Sequence, residues 1–301
     1  MSRSQSRAPS RRVEAEKIRG HRLLRLVPPI ALVAAALSLW EAVVDIRHVP
    51  DYLLPAPSEI WRTTLSERDL LFVNTLPTLE IAVLGFSLAL VAGLAIALAI
   101  HFSRAVELAF YPMVIASQAV PVLALAPILV ILMGFSIFPK LVVVALICFF
   151  PITVNAVDGM KSVDRDLVNL MRTMGANRWH VLRDVELPTA LPFFFSGAKI
   201  AVTFSVVGSL YGDWVGGSSG SLALVIIQAQ SRFDTAVLFS AMAILTIIGV
   251  ALFALLSFVE WLAMPWRRAQ RFPAAGHQDP KTSDQGDERV TDGQRNRERY
   301  A

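Results

Sequence analysis

The chain has 301 residues, 54% hydrophobic and 17% charged, with a net charge of +4 and a mean hydropathy of +0.54. Soluble domains carry about 25% charged residues, so this composition points away from them and toward a membrane class. The single cysteine, Cys148, excludes an intrachain disulfide framework or a thiolate metal cluster and reads as a small side chain facing lipid or core.

Residues 1–25 form a basic tail, and residues 26–47 a first transmembrane segment whose apolar run, 26–44, contains only Glu41. The tail is too long and too charged for an ordinary signal-peptide n-region. Arg11-Arg12 leads into further charges, not an apolar run, so the segment reads as a span. Glu41 and Asp45 are expected near the outer headgroups. Residues 48–78 form a linker in which Pro57 and Ser58 precede Glu59, Ile60 and Trp61. That order predicts a short helix capped by Ser58 and lying in the membrane interface.

The core runs over residues 79–265. A span needs roughly 20 apolar residues; 81–100 and 235–259 supply them without charge, 141–157 is shorter but uncharged, and 189–212 contains only Lys199. Residues 108–139 are also uncharged; as straight helix they would measure about 48 Å, too long for one untilted span. Pro121 and Pro127 are expected to break this run into a span and a bent or re-entrant piece, giving six spans in all. Ser117, Gln118 and Pro121 either line a cavity or pack between helices. Lys199 either snorkels to the near face or meets an anion. Asn155 and Asp158 are expected to end span four and position the loop after it. Asp213 and Trp214 are expected at the outer mouth, followed over 213–234 by a loop with a short helix.

Six spans place both termini on one side, where, counted as far as Arg271, seventeen Lys and Arg face five (Arg47, Arg62, Arg68, Lys140, Arg232) across the membrane. The imbalance puts both termini in the cytoplasm. Residues 266–301, polar and poor in apolar side chains, read as a disordered, solvated tail and not a nucleic-acid site. The five histidines (His21, His48, His101, His180, His277) show no metal-ligand spacing.

One cytoplasmic segment, 159–188, is amphipathic. Val163, Leu167, Leu170, Met171 and Met174 fall on one helix face. Gly175 can adopt the left-handed conformation at a helix end and Asn177 can cap the next helix. That helix places Val181, Leu182 and Val185 together and is expected to end at Pro188, which cannot donate a backbone N–H. The charges alternate in sign, so the hairpin is not a polybasic lipid patch, and its apolar face needs a cover.

Gly175, nine residues, Val185, one residue, then Leu187-Pro188 resembles the loop pattern E-A-A-x3-G-x9-I-x-L-P of binding-protein-dependent ABC importer permeases. Val185 replaces Ile, and Asn169, Leu170 and Met171 stand where the E-A-A triplet would be. "YLLPAPSEIW", "SQAVPVLALAPILVILMGF", "GANRWHVLRDVELPTALPFFFSGAKIAV" and "GDWVGGSSG" together look like the nitrate/sulfonate/taurine-type permeases. "KLVVVALICFFPITVNAVDGMKSVDRDLVNLMRTMGA" looks most like the branch assigned to thiamine-pyrimidine precursors.

The resemblance implies an all-α fold of six spans with a cytoplasmic coupling loop, the type I importer permease fold, working as a homodimer in the bacterial inner membrane. It implies ATPase subunits that bind ATP and Mg, and a periplasmic or lipid-anchored binding protein that delivers a small solute. Carried over by position, Gly175 and Ala176 form the turn of the loop, Arg172 and Arg178 flank it, and Trp179 is the anchor. Leu182 and Val185 belong to its apolar face, and Leu187 and Pro188 join it to span five. The chain contains no G-x4-G-K-[ST] sequence, so ATP hydrolysis is assigned to a partner and no cofactor to the chain itself. The alternative is a secondary transporter or channel working without an ATPase.

Overall fold

The structure is a computed structural model, and it describes residues 11–217 and 220–266, the side chains of 11–27 and 29 aside. The tail expected over 266–301 thus lies outside the described residues except for Trp266, as do residues 1–10 of the basic tail. All regular structure among the described residues is helical: α1 (Arg11–Arg47), α2 (Pro57–Ser66), α3 (Arg68–Phe102), α4 (Arg104–Ser117), α5 (Val122–Met133), α6 (Ile137–Lys161), α7 (Arg165–Thr173), α8 (Arg178–Val181), a π-helical turn (Leu182–Glu186), α9 (Leu187–Gly216), α10 (Leu222–Ser231) and α11 (Thr235–Ala263). By compactness the chain divides into residues 1–258 and 259–301; the described part of the second is the end of α11 and the residues to Trp266.

Helices satisfy their own backbone groups, which a segment in lipid requires. Four are long and apolar enough to cross a bilayer: α3, α6, the continuous helix Arg178–Gly216, and α11. The α4–α5 pair, bent by 100°, makes a fifth where it counts as one broken span. The bend falls at residues 118–121, and Pro121 stands as the residue before α5. Pro127, expected to break the run, lies inside α5, and Pro112 inside α4. A proline in mid-helix removes one hydrogen bond, a loss that neighbouring helices can accommodate in a membrane protein.

α6 packs extensively against both α9 and α3, which also touch each other. The contact faces are rows of small residues. On α3, Gly85, Ala89, Gly93 and Ala97 are buried at intervals of four; on α9, Gly197, Ala201 and Ser205 are. Such rows let backbones approach closely, which is how helices associate where lipid removes the hydrophobic driving force. Gly197 shows the limit: a Cβ there would overlap the Pro151 carbonyl and come within 2.7 Å of Asn155 Cβ. Cys148 is buried in this packing, its Sγ donating to the Ala201 carbonyl at 3.1 Å, so it faces core and not lipid.

α2 forms as expected but is capped differently. Its N-cap position is Ala56, and Ser58 lies inside the first turn. Ser58 donates its backbone N–H and its hydroxyl to Glu41 of α1, at 3.1 and 2.5 Å. The carboxylate of a distant residue thus satisfies a donor at this helix start, where negative charge is favoured. Ser240 Oγ donates to the Ile60 carbonyl at 3.1 Å and Thr235 Oγ1 to the Tyr52 carbonyl at 2.6 Å, tying α11 to the linker.

Candidate functional site: the hairpin and the helix that continues it

The hairpin forms at the positions its local chemistry indicates. Asp164 caps α7 by accepting from Asp166 N–H at 2.9 Å. At the other end Gly175 takes φ +87°, Ala176 N–H donates to the Met171 carbonyl and Gly175 N–H to that of Arg172, both at 3.0 Å. This pair of bonds is the Schellman motif, and its left-handed residue favours glycine. Asn177 Oδ1 then accepts from His180 N–H at 2.9 Å and starts α8.

From there the sequence expectation needs correction. The second helix does not end at Pro188; Arg178–Gly216 is continuous over 39 residues. The missing proline N–H is absorbed by the π turn, in which Leu187 N–H reaches back five residues to the Leu182 carbonyl. Thr189 Oγ1 donates to the Val185 carbonyl at 2.7 Å, supplying a side-chain donor within the same turn. A π turn widens the hydrogen-bond ring and so keeps a helix running through such a defect. Leu187 and Pro188 are therefore the first residues of α9, and the second helix of the hairpin continues into that span.

The apolar residues of the hairpin separate into two sets. Val181 and Leu182 are buried, and Leu182 packs with Ile100, Val157, Met160 and Ala190, the core shared by α3, α6 and α9. Leu167, Leu170, Met174 and Trp179, the last 61% exposed, face outward. Ala176, Val185 and Pro188 are half-buried, and Leu187, Arg172, Arg178 and Gly175 are exposed. Leu182 thus forms the foot of the hairpin, while Trp179, Arg172 and Arg178 surround its exposed tip.

Behind the tip lies a polar cavity of about 280 Å³ lined by His101, Arg104, Glu107, Arg172, Arg178 and Glu186, among others. Its carboxylates are engaged: Glu186 with His101 Nε2 at 2.8 Å, and Glu107 with Arg104 at 2.7 Å and Lys161 at 2.6 Å. Asp158 accepts from Tyr111 Oη at 3.3 Å, and Lys161 Nζ stands 4.4 Å from the centre of the Tyr111 ring. These bonds fasten α4 to α6 and α3 to the π turn. Asp158 and Asn155, expected to end span four, both lie within α6, which runs on to Lys161; the Asp158 side chain bonds α4, and Asn155 donates to the Pro151 carbonyl of its own helix at 2.8 Å.

The residues weighed as pore-lining occupy two places. Ser117, Gln118 and Pro121 form the exposed elbow between α4 and α5, Ser117 Oγ donating to the Val114 carbonyl at 2.6 Å. Lys199 lies against α11 with Nζ 5.8 Å from the centre of the Phe253 ring. At the end of α9 remote from the hairpin, Asp213 is buried and ion-paired to Lys140 at 2.9 Å. Trp214 beside it is exposed, and 213–216 are helical where a loop was expected. The Lys140–Asp213 pair escapes sequence reasoning because its partners lie 73 residues apart.

Residues 89–263 match the model of the family described as binding-protein-dependent transport system inner membrane component. The formylaminopyrimidine transport permease protein ThiX of Halalkalibacterium halodurans is 36% identical over 83% of this chain and 99% of its own length. The riboflavin transport system permease protein RibX of Chloroflexus aurantiacus is 37% identical over 79% of this chain and 89% of its own. Among solved structures, the inward-facing methionine ABC transporter MetNI superposes with a TM-score of 0.56 at 19% identity, over 65% of this chain and 96% of that one, and shares the fold. The chain belongs to the family of binding-protein-dependent transport system inner membrane components, the permease subunits of ABC importers.

Proposed function

We propose that this permease has six spans, α1, α3, the broken pair α4–α5, α6, α9 and α11, with both termini in the cytoplasm. It works as a homodimer with two ATPase subunits, which carry the ATP and Mg, and with a binding protein that delivers the solute. By analogy with its named relatives, the solute belongs to the class of small heterocyclic vitamins or their precursors.

The observation that carries the reading is the continuity of the exposed hairpin with a span. Leu170, Met174 and Trp179 form an apolar tip, ringed by arginines, that suits a groove on a partner. A push there moves Arg178–Gly216 as one helix about 58 Å long. ATP-driven closure of the two ATPases would draw the two hairpins together and open the pathway on the opposite face; hydrolysis would reset it. Val181 and Leu182, buried in the core, are the pivot.

The test replaces Gly175 with Val, which strains φ +87°, or Trp179 with Ala, which removes the exposed anchor. Both variants are expected to lose most co-purifying ATPase and at least tenfold in uptake while the permease stays in the membrane. Full assembly and transport in both would overturn the docking role.

A further inference from the structure

The end of α9 remote from the hairpin is built as a mount. Asp213 accepts from Lys140 Nζ at 2.9 Å, its side chain wholly shielded from solvent, and Lys140 Nζ lies 3.4 Å from the Gly217 carbonyl. A Cβ on Gly216 would stand 2.9 Å from Lys140 Cε, so α9 closes directly on the lysine stem. A pair this buried is costly to break, which holds the last turn of α9 in one rotation against α6.

On that fixed turn, Tyr211 and Trp214 are stacked, with ring centres 6.4 Å apart and planes at 27°. Trp214 is 60% exposed. A cavity lies on each side of the pair. One, of about 210 Å³, is closed by Leu123 and Ala126 of α5; the other, of about 150 Å³, by Ile226 and Gln230 of α10 among others. Both cavities are lined by both rings.

The chemistry of these walls is selective. They offer ring faces, aliphatic side chains, the Tyr211 hydroxyl and the Gln230 amide, and no charge. Lys140 is paired with Asp213, and Lys199 lies over the Phe253 ring. A nitrate or sulfonate entering here would leave water without a cation to meet it, which is unfavourable for an ion. A planar, uncharged heterocycle would gain stacking on a ring face and one or two hydrogen bonds at its edge. The formylaminopyrimidine and riboflavin permeases are named for solutes of that shape.

We infer that Tyr211 and Trp214 form a stacking platform on the transport path for a planar, uncharged aromatic heterocycle, and that this end of the permease disfavours small oxyanions. The inference rests on the permease reading and narrows its substrate class.

The experiment uses the complete importer, permease with its ATPase and binding protein, and measures ATP-dependent uptake of labelled formylaminopyrimidine, riboflavin and, as an anion, taurine. Trp214→Leu and Tyr211→Leu are expected to reduce uptake of a heterocycle about tenfold, the factor that one stacking contact supplies. Trp214→Phe, which keeps a ring, is expected to stay within about threefold. All three should retain their membrane level and their co-purifying ATPase. Unchanged uptake in the Leu variants would overturn the platform, as would a wild-type importer that carries neither heterocycle. A loss of membrane level that is equal in Trp214→Leu and Trp214→Phe would mark the ring as a lipid-interface anchor and also overturn it. Failure of the ATPase to co-purify with the wild-type chain would instead remove the permease reading beneath it.

Discussion

At one end of the Arg178–Gly216 helix, Arg172, Arg178 and Arg183 stand in solvent around an exposed tryptophan; at the other, Lys140 and Asp213 are sealed together between α6 and α9. The same residue chemistry serves opposite ends. An exposed charge costs little desolvation and can be offered to a partner, whereas a buried charge must be matched inside the chain. The hairpin end therefore leaves its charges and apolar side chains exposed, whereas at the far end the Lys140 ammonium is matched inside the chain by Asp213 Oδ1, with Asp213 Oδ2 buried and without a hydrogen-bond partner among the described residues. The two ends belong to one helix because the π turn keeps Pro188 from dividing it.

The largest effect follows from removing half of the sealed pair. Asp213→Ala leaves the Lys140 ammonium, buried under Gly216, without its carboxylate. Breaking such a pair costs about 3–5 kcal/mol, and replacing both partners by apolar residues recovers much of it. Thermal unfolding in detergent should show a large loss for Asp213→Ala and a smaller one for Lys140→Met combined with Asp213→Leu. Equal losses would mean that the pair contributes more than mutual neutralisation, and the contrast between the two ends would weaken.

A second substitution tests the shaft between the ends. Gly197→Val would drive a branched side chain into the Pro151 carbonyl and Asn155, where α9 lies directly on α6. Overpacking typically costs about 1–3 kcal/mol, and here the obstacle is backbone, which cannot change rotamer. Unfolding temperature should fall and α6 and α9 should separate slightly, so that ATPase activity persists while uptake declines. Normal coupling in this variant would show that α9 transmits motion without close support from α6.

The reach of the sequence follows the range of the interactions involved. Gly175 and Asn177 were readable because a left-handed turn and an Asn cap are set within three or four residues. The 118–121 bend was readable from a run too long for one span, but Pro127 was misjudged, since a proline inside α5 does not bend it as Pro121 and the residues before it do. Pro188 was misread for a similar reason: the rule that a proline ends a helix takes no account of a neighbouring turn with its hydrogen bonds shifted to i−5. Ser58 failed as a cap because the acceptor at the start of α2 is Glu41, on another helix. The small-residue rows 85, 89, 93, 97 and 197, 201, 205 stood in the sequence at a period of four. They carry little hydropathy signal, so a reading by apolar runs passes over the surfaces that hold α3, α6 and α9 together.

The smallest effect lies at the hairpin and tests the contrast from its open end. Asn177→Ala removes the side-chain acceptor for His180 N–H, and loss of such a cap costs about 1 kcal/mol locally. Because Arg178, Trp179 and His180 are exposed and the core begins at Val181, that loss should not reach α6 or α9. Hydrogen exchange at residues 178–180 should accelerate a few-fold while unfolding temperature stays within about a degree of wild type, the response of a segment that opens locally. If unfolding temperature instead fell by as much as in Asp213→Ala, the hairpin would be part of the sealed core. The division of the helix into an end open to a partner and an end closed on itself would then be wrong.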